Sequence, residues 1–280
     1  MSIPPGTPVR SSTIRASVPV PATGQIEPLD ARAVLEVTIR ALGADRIALA
    51  SSFGAEDMVL LDLLAGLIER PRVFTLDTGR LPQETYDLMD AARRRYGVEI
   101  EAVFPQREAV EAMVRERGQN LFYDSLEARR TCCAVRKVEP LGRALEGLAG
   151  WITGLRRDQI VTRTATPKIA VDEGHGAIWK VAPLADWTEA QVWSYIRANA
   201  VPYNALHDRG YRSIGCAPCT RAVPEGDDPR AGRWWWERPD ERECGIHFDP
   251  VSGRMTRDRE VEAADAEAAA RLDRREVFDA

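Results

Sequence analysis

The sequence predicts an α/β fold in which a mostly parallel sheet is covered by helices on both faces and is followed by a loop-rich C-terminal segment. Short apolar runs alternate with helix-like stretches from residue 30 to residue 153, which is typical of strand–helix units in a parallel sheet. Between residues 203 and 247, Gly, Pro and aromatic residues are frequent and predict loops. A chain of 280 residues is long enough to bury one large core.

Four apolar runs have the length of buried strands. The loops that follow parallel strands meet at one edge of the sheet, where ligands bind. Loops 51–57, 77–82 and 154–166 should line that edge. A further run at 178–181 is predicted to be an edge strand. The four buried runs are 46–50, 73–76, 99–103 and 151–153.

The predicted helices carry recognisable end signals. Asp30 can cap the first helix with its side chain, and Gly43 ends that helix. Thr188, with Gln191 three residues later, has the capping-box pattern for a helix that runs to Ala198. Other helices are predicted at 56–69, 82–96 and 135–148.

Composition divides the chain into three parts. Residues 1–28 are rich in Pro, Ser, Thr and Gly and predict a disordered leader, while residues 29–248 form the α/β domain. Residues 249–280 are predicted to form a helical tail of unknown role, because much of this part is rich in Ala, Glu and Arg. The leader lacks the apolar region of a secretory signal, and no apolar run is long enough to span a bilayer. We therefore predict a cytoplasmic protein with reduced thiols.

The charge pattern favours a small anionic substrate. The formal net charge of −5 argues against nucleic-acid binding. Basic residues are nonetheless dense locally. They occur at 129–130, 136–137, 156–157 and 163.

The first chemical motif is the loop from Ser51 to Gly54, between a strand and a helix. Ser51, Ser52 and Gly54 are small enough for backbone N–H groups and hydroxyls to approach a phosphate or sulfate at the positive helix end. The loop lacks the lysine of a P-loop. By itself it fits an ordinary strand–turn–helix as well as an anion site.

Five cysteines occur in a 2+2+1 arrangement. Cys132 and Cys133 are adjacent, and Cys216 and Cys219 form a C-x-x-C, so that the four together suit an iron–sulfur cluster. Structural zinc also accepts four cysteines, although the adjacent pair fits its usual spacing poorly. Four unrelated thiols are the remaining interpretation.

Cys244 stands apart and is a candidate nucleophile. Its neighbours Glu243, Gly245 and His247 are polar or flexible, unlike core sequence. A nearby cation would increase the thiolate fraction of such a cysteine, and His247 is the nearest candidate in sequence. The alternative is a buried structural cysteine, which is common in cores.

Residues 228–237 combine two arginines with three consecutive tryptophans. Arg230 and Arg233 could clamp a phosphate while the tryptophans exclude water. Packing in a core or an interface would use the same residues, and the sequence leaves both interpretations open.

Taken in order, these motifs make the chain resemble the adenylyl-sulfate (APS) reductases of assimilatory sulfur metabolism, which are relatives of the phosphoadenylyl-sulfate (PAPS) reductases. The resemblance implies an adenine-nucleotide α-hydrolase-like three-layer sandwich, with the first loop as its modified nucleotide loop. It covers roughly residues 46–247 and rests on SSFGAED, LDTGRLPQET, RRTCCAVRK, WITGLRRDQIVTR, GCAPC, RWWWE and ECGIH.

The resemblance also implies a cofactor and a set of site residues. Cys244 would be the nucleophile, on a segment that closes over the site. A [4Fe–4S] cluster would be held by Cys132, Cys133, Cys216 and Cys219. The implied substrate-binding residues are Ser51, Ser52, Gly54, Lys137, Arg163, Arg230, Arg233 and His247.

The implied activity is the thioredoxin-dependent reduction of APS to sulfite and AMP, an oxidoreductase step in sulfate assimilation and cysteine biosynthesis. Cys244 would attack the sulfate sulfur and carry it as S-sulfocysteine. If the other four cysteines are cluster ligands, sulfite release needs an external dithiol, which in this family is thioredoxin.

Several alternatives stay open. A PAPS reductase or a dual APS/PAPS reductase would share the chemistry. A tRNA-thiolating ATP pyrophosphatase shares the fold, but it carries an S-G-G-x-D-S loop that this chain lacks. A zinc-binding interaction module is a non-enzymatic alternative. The oligomeric state, including a homo-oligomer, is left open, and the residues after His247 depart from the family pattern, which usually ends there.

Overall fold

The computed structural model describes residues 23–159 and 166–238. These residues form a six-stranded sheet with the order β3-β2-β1-β4-β6-β5. β5 pairs with β6 in the antiparallel sense, and the other neighbours are parallel. The strands are β1 Ile47–Ala50, β2 Val73–Leu76, β3 Ile100–Val103, β4 Gly150–Ile152, β5 Ile169–Asp172 and β6 Ile178–Val181.

Helices connect the strands and cover the sheet. The longer ones are α2 Ala31–Leu42, α3 Ala55–Ala65, α4 Gln83–Tyr96, α5 Arg107–Arg117 and α8 Glu189–Ala198. The shorter ones are α1 Thr23–Ile26, α6 Leu126–Cys133 and α7 Glu139–Leu145, with a π-helical turn, Ala134–Val138, between the last two. None of the helices in the described ranges is long and apolar enough to cross a membrane.

Alternating side chains on the strands divide the core into two layers. On β1, Ile47 and Leu49 belong to the cluster formed with α2, α3, α4 and α8, whereas Ala48 belongs to the cluster formed with α7. This alternation is the period of two expected of a strand that is buried on both faces. The predicted three-layer α/β class is therefore confirmed.

Capping residues in the sequence predicted the ends of two helices correctly. Asp30 accepts a hydrogen bond from the backbone N–H of Ala33 at 2.8 Å and begins α2, which ends at Gly43. Thr188 and Gln191 form the predicted capping box of α8.

Three predictions about elements were wrong or incomplete. Residues 178–181 are not an edge strand, because β5, which the sequence did not reveal, pairs on their outer side. The single helix expected at 135–148 is instead a π-helical turn followed by α7, which ends at Leu145, and α6, which precedes them, was not predicted. α5 was also missed. Pro140 near the start of α7 has no N–H to donate, which suits a change in hydrogen-bonding pattern at that point.

The described fold begins before the predicted domain start at residue 29. Ile26 in α1 is 1% exposed, and Glu27 receives a hydrogen bond from Arg157 at 2.6 Å. The rest of the predicted leader and the predicted tail lie outside the described residues, so the three-part division stays a prediction.

Candidate active site

A cavity of about 260 Å³ lies at the carboxyl edge of the parallel strands. The loops that follow β1, β2 and β4 contribute Ser52, Thr78 and Gly154 to its wall. This is the edge at which the sequence predicted a ligand site, because parallel strands bring their following loops together.

The loop after β1 is shaped by Asp57 in the first turn of α3. The carboxylate of Asp57 accepts hydrogen bonds from the backbone N–H and the hydroxyl of Ser52, at 2.6 and 2.7 Å. The hydroxyl of Ser51 accepts a bond from the N–H of Phe53 at 3.1 Å. Phe53 is buried and has a φ of 58°, a strained conformation for a residue with a side chain. The loop is therefore held in one specific shape.

The start of α3 faces the cavity. Gly54, the residue that precedes the helix, has no side chain to cap it, and Gly54, Ala55 and Glu56 line the cavity. The positive end of a helix favours an anion at such a position. This part of the wall can therefore hold a phosphate or a sulfate.

Burial perturbs the acid at the base of this loop. Burial raises the pKa of Asp57 from 3.8 to about 6, and the hydrogen bonds from Ser52 oppose this shift only in part. Gly154 packs so closely against this acid that a Cβ at residue 154 would overlap it. The loops after β1 and β4 are thus fitted to each other.

An ion pair that the sequence did not reveal joins the start of α3 to the loop after β4. Arg156 donates to Glu56 at 2.8 Å, and Gln159 also donates to Glu56, at 3.0 Å. Arg156 is buried. Its basic character was visible in the sequence, but its partner is 100 residues away and no local pattern connects them.

The two predicted cysteine pairs come together. Cys132 and Cys133 end α6, while Cys216 precedes the 3₁₀ turn Ala217–Cys219 and Cys219 ends it. All four are buried free thiols, and they line one small cavity together with basic side chains. Within residues 23–159 and 166–238, no three Cys, His, Asp or Glu side chains are placed to hold a single metal ion. The basic residues around this cysteine cavity are Arg80, Arg129, Arg136 and Lys137.

The cysteine cavity meets the larger cavity at Lys137, Cys216 and Trp234, which line both. Thr78 Oγ1 lies 3.3 Å from Cys216 Sγ. Burial raises the pKa of the Cys216 thiol, but Lys137, the contact with Thr78 and the guanidinium of Arg233 outweigh burial and hold the pKa below its ordinary value. In contrast, burial raises the pKa of Cys219 to about 12. Cationic charge is thus concentrated where the two cavities join.

Within residues 228–237, the tryptophan Trp234 packs in a core, whereas the two arginines face a cavity. Trp234 is 1% exposed and packs with the four cysteines. Arg230 and Arg233 line the larger cavity. Arg233 lies 4.7 Å from the centre of the Trp234 ring and donates to the carbonyl of Ile214 at 3.1 Å. The tryptophan therefore packs in a core and orients cations that face the cavity.

Comparison with models of known protein families identifies the family to which this chain belongs. A model of the phosphoadenosine phosphosulfate reductase domain matches residues 46–222. The chain belongs to the phosphoadenosine phosphosulfate reductase family.

Two relatives of known name and one solved structure are also similar to this chain. An adenosine 5'-phosphosulfate reductase of Allochromatium vinosum is 53% identical over 72% of this chain and 79% of its own length. An adenosine 5'-phosphosulfate reductase of Burkholderia cepacia is 51% identical over 74% of this chain and 83% of its own length. A crystal structure of phosphoadenylyl-sulfate (PAPS) reductase from Candida auris, a phosphate complex, has a TM-score of 0.61 and 29% identity, covering 72% of this chain and 94% of that one.

The structure describes most, but not all, of the predicted site residues. The structure brings Ser51, Ser52, Gly54, Lys137, Arg230 and Arg233 to one cavity. Arg163, Cys244 and His247 lie outside the described residues, so their roles stay predictions. Sequence reasoning did not name Thr78 or Arg156 as site residues, although both lie in loops, 77–82 and 154–166, that were predicted to line the site.

Proposed function

We propose that this chain reduces adenylyl sulfate to sulfite and AMP. The observation that carries the proposal is the joining of two cavities at Lys137, Cys216 and Trp234, one suited to a nucleotide and one lined by four cysteines. The names of the relatives that are about half identical to this chain favour the same substrate.

The larger cavity would bind the substrate through its anionic groups. The loop containing Ser51, Ser52 and Gly54 at the start of α3 offers small residues and the positive helix end to a phosphate or sulfate. Lys137, Arg230 and Arg233 supply cations in the same cavity. From the sequence motifs, Arg163 and His247 would complete this set.

The four cysteines fit a [4Fe–4S] cluster. Cluster ligation needs four thiolates, each bound to a different iron, so the thiolates surround a shared space. Cys132, Cys133, Cys216 and Cys219 surround such a space, with basic residues around it that would balance the negative charge of thiolates and cluster. A single tetrahedral zinc ion would instead need the four sulfur atoms to converge on one point.

When bound, the cluster would act mainly through its charge, beside the substrate cavity. Lys137 lines both cavities and would orient the sulfate or phosphate end of the substrate. Because each iron would already carry a cysteine ligand, none would be open to bind the substrate. We favour this electrostatic role over electron donation, because a dithiol reductant would supply both electrons of the reaction.

Cys244 would perform the covalent step. Its thiolate attacks the sulfur of the sulfate group, the bond from sulfur to the phosphate oxygen breaks, and AMP leaves with that oxygen. The enzyme then carries S-sulfocysteine at Cys244. Lys137, Arg230 and Arg233 reduce the repulsion between the thiolate and the anionic substrate and stabilise the charge that develops on the departing phosphate.

A dithiol reductant would complete the reaction. One of its thiolates attacks the Cys244 sulfur and releases sulfite, which leaves a mixed disulfide; the second thiolate then displaces the Cys244 thiolate. The dithiol is oxidised by two electrons, and the sulfate sulfur is reduced by two. Because the other four cysteines are buried together as free thiols, none is assigned to resolve Cys244, and we propose thioredoxin as the donor, in a reducing cytoplasm.

The second candidate substrate is PAPS, which carries an additional 3′-phosphate. It is favoured by the structural match to a PAPS reductase of Candida auris. Comparison of kcat/KM for APS and PAPS with the same enzyme preparation decides between an APS-specific, a PAPS-specific and a dual enzyme.

The central test is sulfite release from APS, with and without reduced thioredoxin, by the wild type and by Cys244→Ser. We expect turnover only with the wild type and the dithiol, and the same iron content and visible absorbance in both proteins. A colourless wild-type protein after anaerobic purification would contradict the cluster. Full turnover by Cys244→Ser would contradict the nucleophile.

A further inference from the structure

Arg129 and Glu237 form a buried ion pair that joins α6 to the chain leading to Cys244. Arg129 Nε and Nη2 lie 2.8 and 2.9 Å from the two carboxylate oxygens of Glu237. The side chains are 1% and 5% exposed, respectively. Because α6 ends with Cys132 and Cys133, the pair connects the cysteine cavity to the C-terminal segment.

Further contacts around this ion pair hold residues 234–237 in place. The Arg129 guanidinium lies 4.7 Å from the centre of the Trp234 ring and also hydrogen-bonds Cys133. The N–H of Trp234 donates to the carbonyl of Cys219 at 3.2 Å, and Trp234 has a φ of 44°. Elements that carry both cysteine pairs therefore contact residues 234–237, and the surroundings maintain a strained backbone there.

A buried ion pair contributes more to geometry than to stability. Desolvation of two charges offsets most of their attraction, so such a pair is a weak source of net stability. A bidentate arginine–carboxylate contact, however, specifies both distance and orientation. The Arg129–Glu237 pair is therefore suited to fixing the position and direction of the backbone at Glu237.

We propose that Arg129 and Glu237 are positioning residues, which fix the backbone at Glu237, the point from which the chain continues to Cys244. The inference rests on the proposed role of Cys244 as the nucleophile. Cys244 follows Glu237 by seven residues, and seven residues span at most about 25 Å when fully extended. Displacement of the backbone at Glu237 would lower the effective concentration of the Cys244 thiol at the substrate, while the nucleotide cavity would stay intact.

The test separates attack by Cys244 from binding of nucleotide and metal. Glu237→Gln keeps the side-chain volume but removes the charge, and Arg129→Lys keeps the charge but removes the bidentate geometry. Glu101→Gln, at an exposed position that pairs with Arg72, is the matched control. For each holoenzyme we would measure the single-turnover rate of S-sulfocysteine formation on Cys244 by mass spectrometry at saturating APS, the AMP dissociation constant and the iron content.

We expect Glu237→Gln and Arg129→Lys to slow adduct formation by about 10- to 100-fold, with AMP affinity within about threefold of wild type. Glu237→Gln changes no residue that lines the cysteine cavity and should also keep the wild-type iron content. Glu101→Gln should behave as wild type. Adduct formation at the wild-type rate would overturn the inference. So would a parallel loss of iron or AMP affinity in both variants, because the pair would then stabilise the fold in general. Absence of the adduct from the wild type would instead contradict the proposed function.

Discussion

At the scale of one residue, Asp57 shapes the loop after β1 and also lowers the stability of the fold when it is ionised. Its carboxylate organises the loop after β1 by accepting two bonds from Ser52, yet burial raises its pKa to about 6. A buried acid with a raised pKa favours the protonated form of the folded protein. The loop is therefore shaped by a group that costs stability when it is ionised.

We predict that Asp57→Asn raises the free energy of unfolding at pH 8 and has little effect near pH 4. The folded-state pKa of about 6 exceeds the reference value of 3.8, so between these values the folded wild type binds more protons than the unfolded chain. Its stability then falls as pH rises, by up to about 3 kcal/mol. The amide avoids this loss and can still accept both bonds from Ser52.

Urea unfolding of both proteins from pH 4 to pH 8 measures the difference. Asp90→Asn, at an exposed position on α4, serves as the control for the substitution itself. A difference between Asp57→Asn and wild type that does not change with pH would contradict the prediction.

At the scale of elements, the site depends on how helices begin and end. The π-turn between α6 and α7 begins directly after Cys132 and Cys133 and contains Arg136 and Lys137, so thiols and cations reach one cavity. The sequence predicted one helix at 135–148 because its apolar spacing does not reveal a change from α- to π-type hydrogen bonding. By contrast, the start of α8 was predicted correctly, because a capping box is read from four consecutive residues.

We predict that Thr188→Ala destabilises the protein by about 1 kcal/mol, through loss of the capping box of α8. Gln191 N donates to Thr188 Oγ1 at 3.3 Å, and Thr188 N donates to Gln191 Oε1 at 2.7 Å. Thermal and urea unfolding would measure the loss. Gln191→Ala keeps the threonine half of the box and should cost less; an equal or larger cost would show that the reciprocal bond is the main contribution.

At the scale of the whole molecule, the four-cysteine cavity joins parts of the chain that are distant in sequence. Residues of α6, the turn at Ala217–Cys219 and Trp234 form one buried cluster. Four cationic side chains surround it. Arg129 is neutralised by Glu237, but without a bound anionic group the other three cations, Arg80, Arg136 and Lys137, would repel one another.

We therefore predict that anaerobic removal of iron destabilises the protein. A loss of about 2 kcal/mol would lower the thermal midpoint by roughly 4–8 °C for a protein of this size. Differential scanning fluorimetry of protein before and after chelation measures the shift. Cys244→Ser should show the same shift, because Cys244 is not assigned as a ligand. An unchanged midpoint after complete iron removal would contradict a structural contribution of the cluster.

The sequence by itself determined the α/β class, most strands, the caps of α2 and α8 and the 2+2+1 division of the cysteines, because each of these is a local pattern or a motif of the family. Only the tertiary structure decided that the two cysteine pairs share a cavity, that β5 lies outside β6, and that Arg156 and Arg129 find partners about a hundred residues away. Such contacts depend on how elements pack, and packing brings together residues whose spacing along the chain carries no signal.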